Sequence, residues 1–105
     1  MTRTQTLRKA NKIVTGKREE AYGKPEDNFA AIAALWSDYL GAEIGACDVA
    51  NMMILLKVAR MGGKGTSDCY VDICGYAAIG NEMFTASQEE IKEQKMGYRT
   101  EGDER

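Results

Sequence analysis

Histidine is absent from the 105 residues. Its absence removes every His-based catalytic triad and every His-containing zinc site. The single proline, Pro25, excludes a proline-rich linker or stalk. Cysteine is scarce: Cys47, Cys69 and Cys74 form no C-x-x-C pair, so neither a zinc knuckle nor a disulfide framework is expected. All three read as small buried apolar residues in a reducing compartment. Long apolar runs are missing too. The longest, within Val49–Ala59, contains Lys57 and is too short to span a bilayer. Met1–Gln5 has no apolar h-region, so no signal peptide is expected, and the expected location is the cytoplasm with no membrane partner. Basic charge is not in excess: 14 Lys and Arg against 16 Asp and Glu give a net charge of −2. A DNA-coating protein is therefore not expected, and the basic N-terminal stretch lacks the interleaved aromatics of a nucleic-acid binder.

What is present is ordinary globular composition, 44% apolar and 29% charged, in a chain of one domain's length. The charge is segmented. Residues 1–24 carry +5, residues 25–56 carry −5, residues 57–67 carry +3 and residues 68–84 carry −3. Alternating signs suit helices that pair electrostatically, although each surface pair contributes little.

Apolar spacing predicts an all-α fold, a compact bundle of four main helices with a polar C-terminal tail. The first helix is expected from about Thr6 to Tyr22, with Leu7, Ala10, Val14 and Ala21 inward. Gly23 and Pro25 stop it. Pro25 then suits the first turn of a second helix, with Glu26 and Asp27 near its positive end. Phe29, Ile32, Ala33, Trp36, Tyr39 and Leu40 recur along it at helical spacing, and Gly41 ends it. The third helix, about Cys47 to Met61, is apolar nearly all round and must be buried on several sides. Gly62–Ser67 reads as a loop, because glycine follows Lys64 where a Walker A motif has Ser or Thr. A fourth helix is expected over about Asp68–Met83, with Val71, Cys74 and Ala78 inward. Residues 1–84 form the expected bundle domain. Residues 85–105 form a polar segment, with a solvated helix over about Ser87–Lys95 and a frayed end.

Several charged residues ask for partners. Asp68 and Asp72 are four apart and share a helix face. Their mutual repulsion calls either for a divalent cation or for cations from Lys57, Arg60 or Lys64. Glu19 and Glu20 oppose the dipole at the expected end of the first helix, so one of them is a candidate third carboxylate. Lys57 and Arg60, in an otherwise apolar helix, suit either an ion pair to Asp68 or Asp72 or a phosphate clamp.

Three blocks carry a resemblance. They are Lys17-Arg18-Glu19-Glu20-Ala21-Tyr22-Gly23-Lys24-Pro25-Glu26-Asp27-Asn28-Phe29, the stretch from Asp48 to Arg60, and the stretch from Asp68 to Ala78. Together they resemble a family of small uncharacterised phage and prophage proteins, over about residues 15–84. The Lys-x-x-Arg and Asp-x-x-x-Asp blocks are similar to a phage domain associated with nucleotide modification, itself similar to MazG-like nucleoside triphosphate pyrophosphohydrolases. That resemblance implies a MazG-like helical bundle, a nucleotide-related role and oligomeric assembly. The MazG pattern sets Glu-Glu-x-x-Glu and Glu-x-x-Asp around Mg²⁺. Here Gly23 replaces the third acid, and Asp68 and Asp72 are four apart rather than three.

Two functions are carried forward. In the first, a phage nucleotide-handling protein holds Mg²⁺ with Glu20, Asp68 and Asp72 as metal-binding and catalytic residues. Arg18, Lys57 and Arg60 hold phosphates, Asn28 and Tyr76 orient the ligand, and water attacks a phosphoanhydride. In the second, a non-enzymatic counter-defence protein sequesters a host signalling nucleotide or blocks a host defence protein in the host cytoplasm. A homo-oligomer, dimer or tetramer, is expected in either case, because four helices of this length do not cover the third one fully.

Overall fold

In a computed structural model, residues 1–16, 20–21, 23–63 and 67–94 are described. They form four main helices, α1 (Arg3–Thr15), α2 (Pro25–Leu40), α3 (Ala46–Met61) and α4 (Ser67–Gln94), and no strand occurs among them.

α1 begins earlier than its apolar pattern suggests because Thr2 caps it. The Thr2 hydroxyl accepts the Gln5 N–H at 3.1 Å, and the Gln5 side chain accepts the Thr2 N–H at 2.7 Å. This reciprocal capping box satisfies two donors that would otherwise lack partners. The helix also ends earlier than expected, at Thr15. Gly16 follows in a backbone conformation where a Cβ would lie 2.7 Å from the Lys12 carbonyl oxygen, so only glycine fits there. Glu20 and Ala21 are also helical, and both are exposed. Of the expected inner stripe, Ala10 is buried and Val14 half-buried, but Leu7 faces solvent.

α2 keeps its expected bounds. Pro25 opens it, and Gly41 closes it in the left-handed conformation at φ 63°, which a side chain disfavours. Phe29 and Ala33 are buried, and Ile32 and Trp36 pack against them. Tyr39 and Leu40 are instead exposed, since the chain turns away there towards α3. The Ser37 hydroxyl pins that turn, donating to the Ile44 carbonyl at 3.1 Å and accepting the Ile44 N–H at 2.9 Å. Asp48 then accepts the Gly45 N–H at 2.8 Å and secures the start of α3.

α4 is one helix of 28 residues, about 42 Å long at 1.5 Å per residue, where two shorter helices are expected. Its apolar pattern fades after Met83, yet no glycine or proline interrupts residues 81–94, and the Glu, Gln and Lys residues there propagate helix well. It runs unbroken through residues 84 and 85, and every described side chain beyond Met83 is exposed.

α1, α2 and α3 all pack on α4. α3 runs antiparallel to it: Lys57 meets Asp72 near one end, and Ala50 meets Gly80 near the other. α1 runs parallel to it, with Lys9 at Asp68 and Val14 at Gly75. The principal core joins α2, α3 and α4 through Phe29, Ala33, Val49, Ala50, Tyr76 and Ile79. The Phe29 and Tyr76 rings lie 6.2 Å apart at 37°, a tilted aromatic contact.

A Cβ at Gly80 would meet the Cβ of Ala50, which is fully buried, at 3.2 Å. Ala50 has no rotatable side chain with which to yield. Alanine at position 80 gains about 1 kcal/mol in helix propensity, but overpacking costs about 1–3 kcal/mol. Gly80→Ala is therefore expected to lower stability by about 1 kcal/mol, read from urea unfolding. A net gain would show that the two helices separate freely there.

Candidate functional site

The candidate site lies where α1, α3 and the first turns of α4 converge. Asp68 and Asp72 project from one face of α4, as their spacing requires. Each meets a lysine from a different helix. Lys9 of α1 lies 3.0 Å from Asp68, and both side chains are well exposed. Lys57 of α3 lies 3.0 Å from Asp72, with side chains 16% and 34% exposed. The inner pair is thus shielded and the outer pair solvated. The repulsion between the two aspartates is answered by cations, and Lys57 finds the partner that a basic residue in an apolar helix requires.

Lys57 and Asp72 form the polar wall of a cavity of about 110 Å³. Ile13 and Val14 of α1 supply an apolar wall opposite, and Gly75, Tyr76 and Ile79 of α4 complete it. Gly75 sets its depth, because a Cβ there would meet Val14 Cγ1 at 3.0 Å. Tyr76 is buried and belongs both to this cavity and to the core beside Phe29. The site therefore offers one shielded cation, one carboxylate that holds it, and an aromatic wall.

The other sequence candidates are dispersed. Arg60 is exposed on the last turn of α3, Asn28 is half-buried on α2, and neither lines the cavity. Glu20 is exposed and does not line it either, while Arg18 lies outside the described residues. Among the described residues, no three His, Cys, Asp or Glu side chains come together as a metal-sized group. Glu20, Asp68 and Asp72 are thus not assembled, and the two aspartates have lysine partners. This donor set does not fit a resident Mg²⁺, which needs carboxylate oxygens free to coordinate it. Lys9 is the contributor that sequence reasoning missed. No local pattern links it to Asp68, 59 positions away; the charge opposition of the two segments was the only hint.

Lys57→Met keeps the aliphatic stem and leaves Asp72 half-buried without its cation. A loss of about 1–2 kcal/mol is expected, below the range for a fully buried pair because Asp72 is partly hydrated. Lys9→Ala, at the exposed pair, is expected to cost under about 0.5 kcal/mol. Denaturant melts at low salt and at about 0.5 M salt check both values, since only the outer pair is well screened. Equal losses at the two positions would contradict the burial difference.

No described helix is long and apolar enough to cross a membrane. No solved structure matches the chain. The "Gene 55 protein" of Mycobacterium phage D29 is 47% identical over 79 residues, covering 74% of this chain and 52% of the relative. The "Gene 55 protein" of Mycobacterium phage L5 is 44% identical over 79 residues, covering 73% of this chain and 51% of that protein. The chain thus spans about half the length of these phage relatives. Residues 5–84 match the family described as a domain of unknown function, DUF6378, and the chain belongs to that family of phage proteins.

Proposed function

We propose that this phage-family protein binds a nucleotide, or a small molecule derived from one, at the cavity between α1, α3 and α4, and binds it without a resident metal. The observation that carries this reading is the shielded Lys57–Asp72 pair lining a half-open, partly apolar cavity. An incoming phosphoryl group competes with Asp72 for the Lys57 ammonium, which is already largely desolvated, while Asp72, 34% exposed, turns to water. The volume of about 110 Å³ admits a phosphoryl group but not a whole nucleotide. Sugar and base would then lie outside, along α1 and the exposed end of α3. Arg60, three residues beyond Lys57 and exposed, supplies a second cation near that exit. The resemblance of the Asp48–Arg60 and Asp68–Ala78 blocks to nucleotide-handling phage domains supports the same ligand class.

The metal-dependent alternative is hydrolysis of a nucleoside triphosphate with Mg²⁺ on Glu20, Asp68 and Asp72. Binding suits the side chains as placed better than hydrolysis does, because both aspartates are engaged by lysine.

A panel of ribo- and deoxynucleoside triphosphates and cyclic nucleotides, each with Mg²⁺ and with chelator, separates the readings. Binding predicts thermal stabilisation that survives chelation, about 2.7 kcal/mol at a ligand concentration of 100 Kd. Lys57→Met abolishes that stabilisation, whereas Lys9→Ala leaves most of it. Mg²⁺-dependent release of monophosphate and pyrophosphate would establish the hydrolase instead. Absence of any shift across the panel would reject both.

A further inference from the structure

The core accounts for one side of α3 only. Val49 and Ala50 are fully buried, and Met53 and Ile54 pack beside them. On the other side Met52, Leu55, Leu56 and Val58 are between 36% and 65% exposed. A groove between α3 and α4 continues this apolar surface. Asn51 and Ile54 line it from α3, and Ala77, Asn81 and Phe84 line it from α4. The antiparallel register set by Lys57–Asp72 and Ala50–Gly80 puts Leu55 level with residues 74–75 of α4 and Val58 level with residues 71–72.

On α4 the surface has a heptad period. Tyr70, Ala77, Phe84 and Ile91 recur every seven residues. With Ile73, Asn81 and Gln88 they fall within an arc of about 80° at 3.6 residues per turn. No charged residue among the described ones falls in that arc, although 29% of the chain is charged. Tyr70, Phe84 and Ile91 are 61%, 54% and 42% exposed. Depletion of charge with enrichment of aromatics marks the centre of a protein interface, and a seven-residue apolar column is the seam of paired helices.

We infer that this apolar face of α3 and α4, uncharged along α4, is a self-association surface, covered by the same face of a second copy of the chain. Two observations favour a second copy as the occupant. The column is self-complementary: antiparallel pairing about a two-fold axis midway between Ala77 and Phe84 sets each Phe84 over the other copy's Ala77, and each Tyr70 over the other copy's Ile91. The last three turns of α4 also lack intramolecular support, with every described side chain past Met83 exposed. A helix end this bare is marginal in water and is held by a parallel or antiparallel neighbour.

Sedimentation velocity of the full chain, from about 1 to 200 µM, tests the inference. The expected species is a dimer, or a multiple of one, of the 11.6 kDa chain. Phe84→Glu and Leu55→Glu, on different helices at exposed positions, are each expected to weaken association at least thirtyfold while far-UV circular dichroism is unchanged. Leu7→Glu, on α1 and also exposed, is expected to leave association intact. A monomer at every concentration would overturn the inference. So would an oligomer that resists both Phe84→Glu and Leu55→Glu, or one that Leu7→Glu breaks instead.

Discussion

Two close approaches of neighbouring helices to α4 govern the rest of this structure. Gly75 lets α1 in under Val14, and Gly80 lets α3 in under Ala50. Because α1 and α3 pack chiefly on α4, these contacts set where the side chains of α1 and α3 meet those of α4. The ion pairs follow from them. With α3 held at Gly80 and running antiparallel, Lys57 arrives two turns later beside Asp72. With α1 held at Gly75 and running parallel, Lys9 arrives beside Asp68. The cavity is the space left between the two approaches, which explains why its walls come from α1, α3 and α4 together.

The same geometry limits the core. Glycine and alanine at helix crossings bring backbones together but bury little apolar area per residue. The largest fully buried side chains among the described residues are Phe29, Val49 and Val71. α2 and α4 cover the side of α3 that bears Val49 and Ala50, and no fifth helix among the described residues covers the other. The surplus apolar residues of α3 therefore belong to the surface of one copy, and a helix that is apolar nearly all round stays half covered.

Punctuation was the most legible part of the sequence. Pro25 and Gly41 delimit α2 as their backbone preferences require, and α3 follows its apolar run. The end of α1 was missed because Gly16 looks like a tolerated helical glycine; what disqualifies any other residue is a carbonyl oxygen at a particular distance. The continuity of α4 was missed for the opposite reason, since its pattern fades without a residue that ends the helix. At the site, Lys57 was readable as a cation in need of a carboxylate, and Asp72 was among the partners its position allowed. The three-carboxylate group was not readable. It required Glu20 to approach α4, and sequence spacing cannot report the distance between separate helices.

The family segment, residues 5–84, spans nearly all the packing described. It includes Ala10 at one end, Met83 at the other, both ion pairs and the two glycine approaches. The last ten residues of α4 add length and exposed surface but no core. Fold and candidate ligand cavity thus reside in the shared segment. The inferred self-association seam begins inside it, at Tyr70, Ala77 and Phe84, and passes beyond it at Ile91. A seam that crosses the end of the packed region couples a stable platform to a projecting helix. On that inference, the exposed end of the helix is ordered by assembly rather than by the core of its own chain.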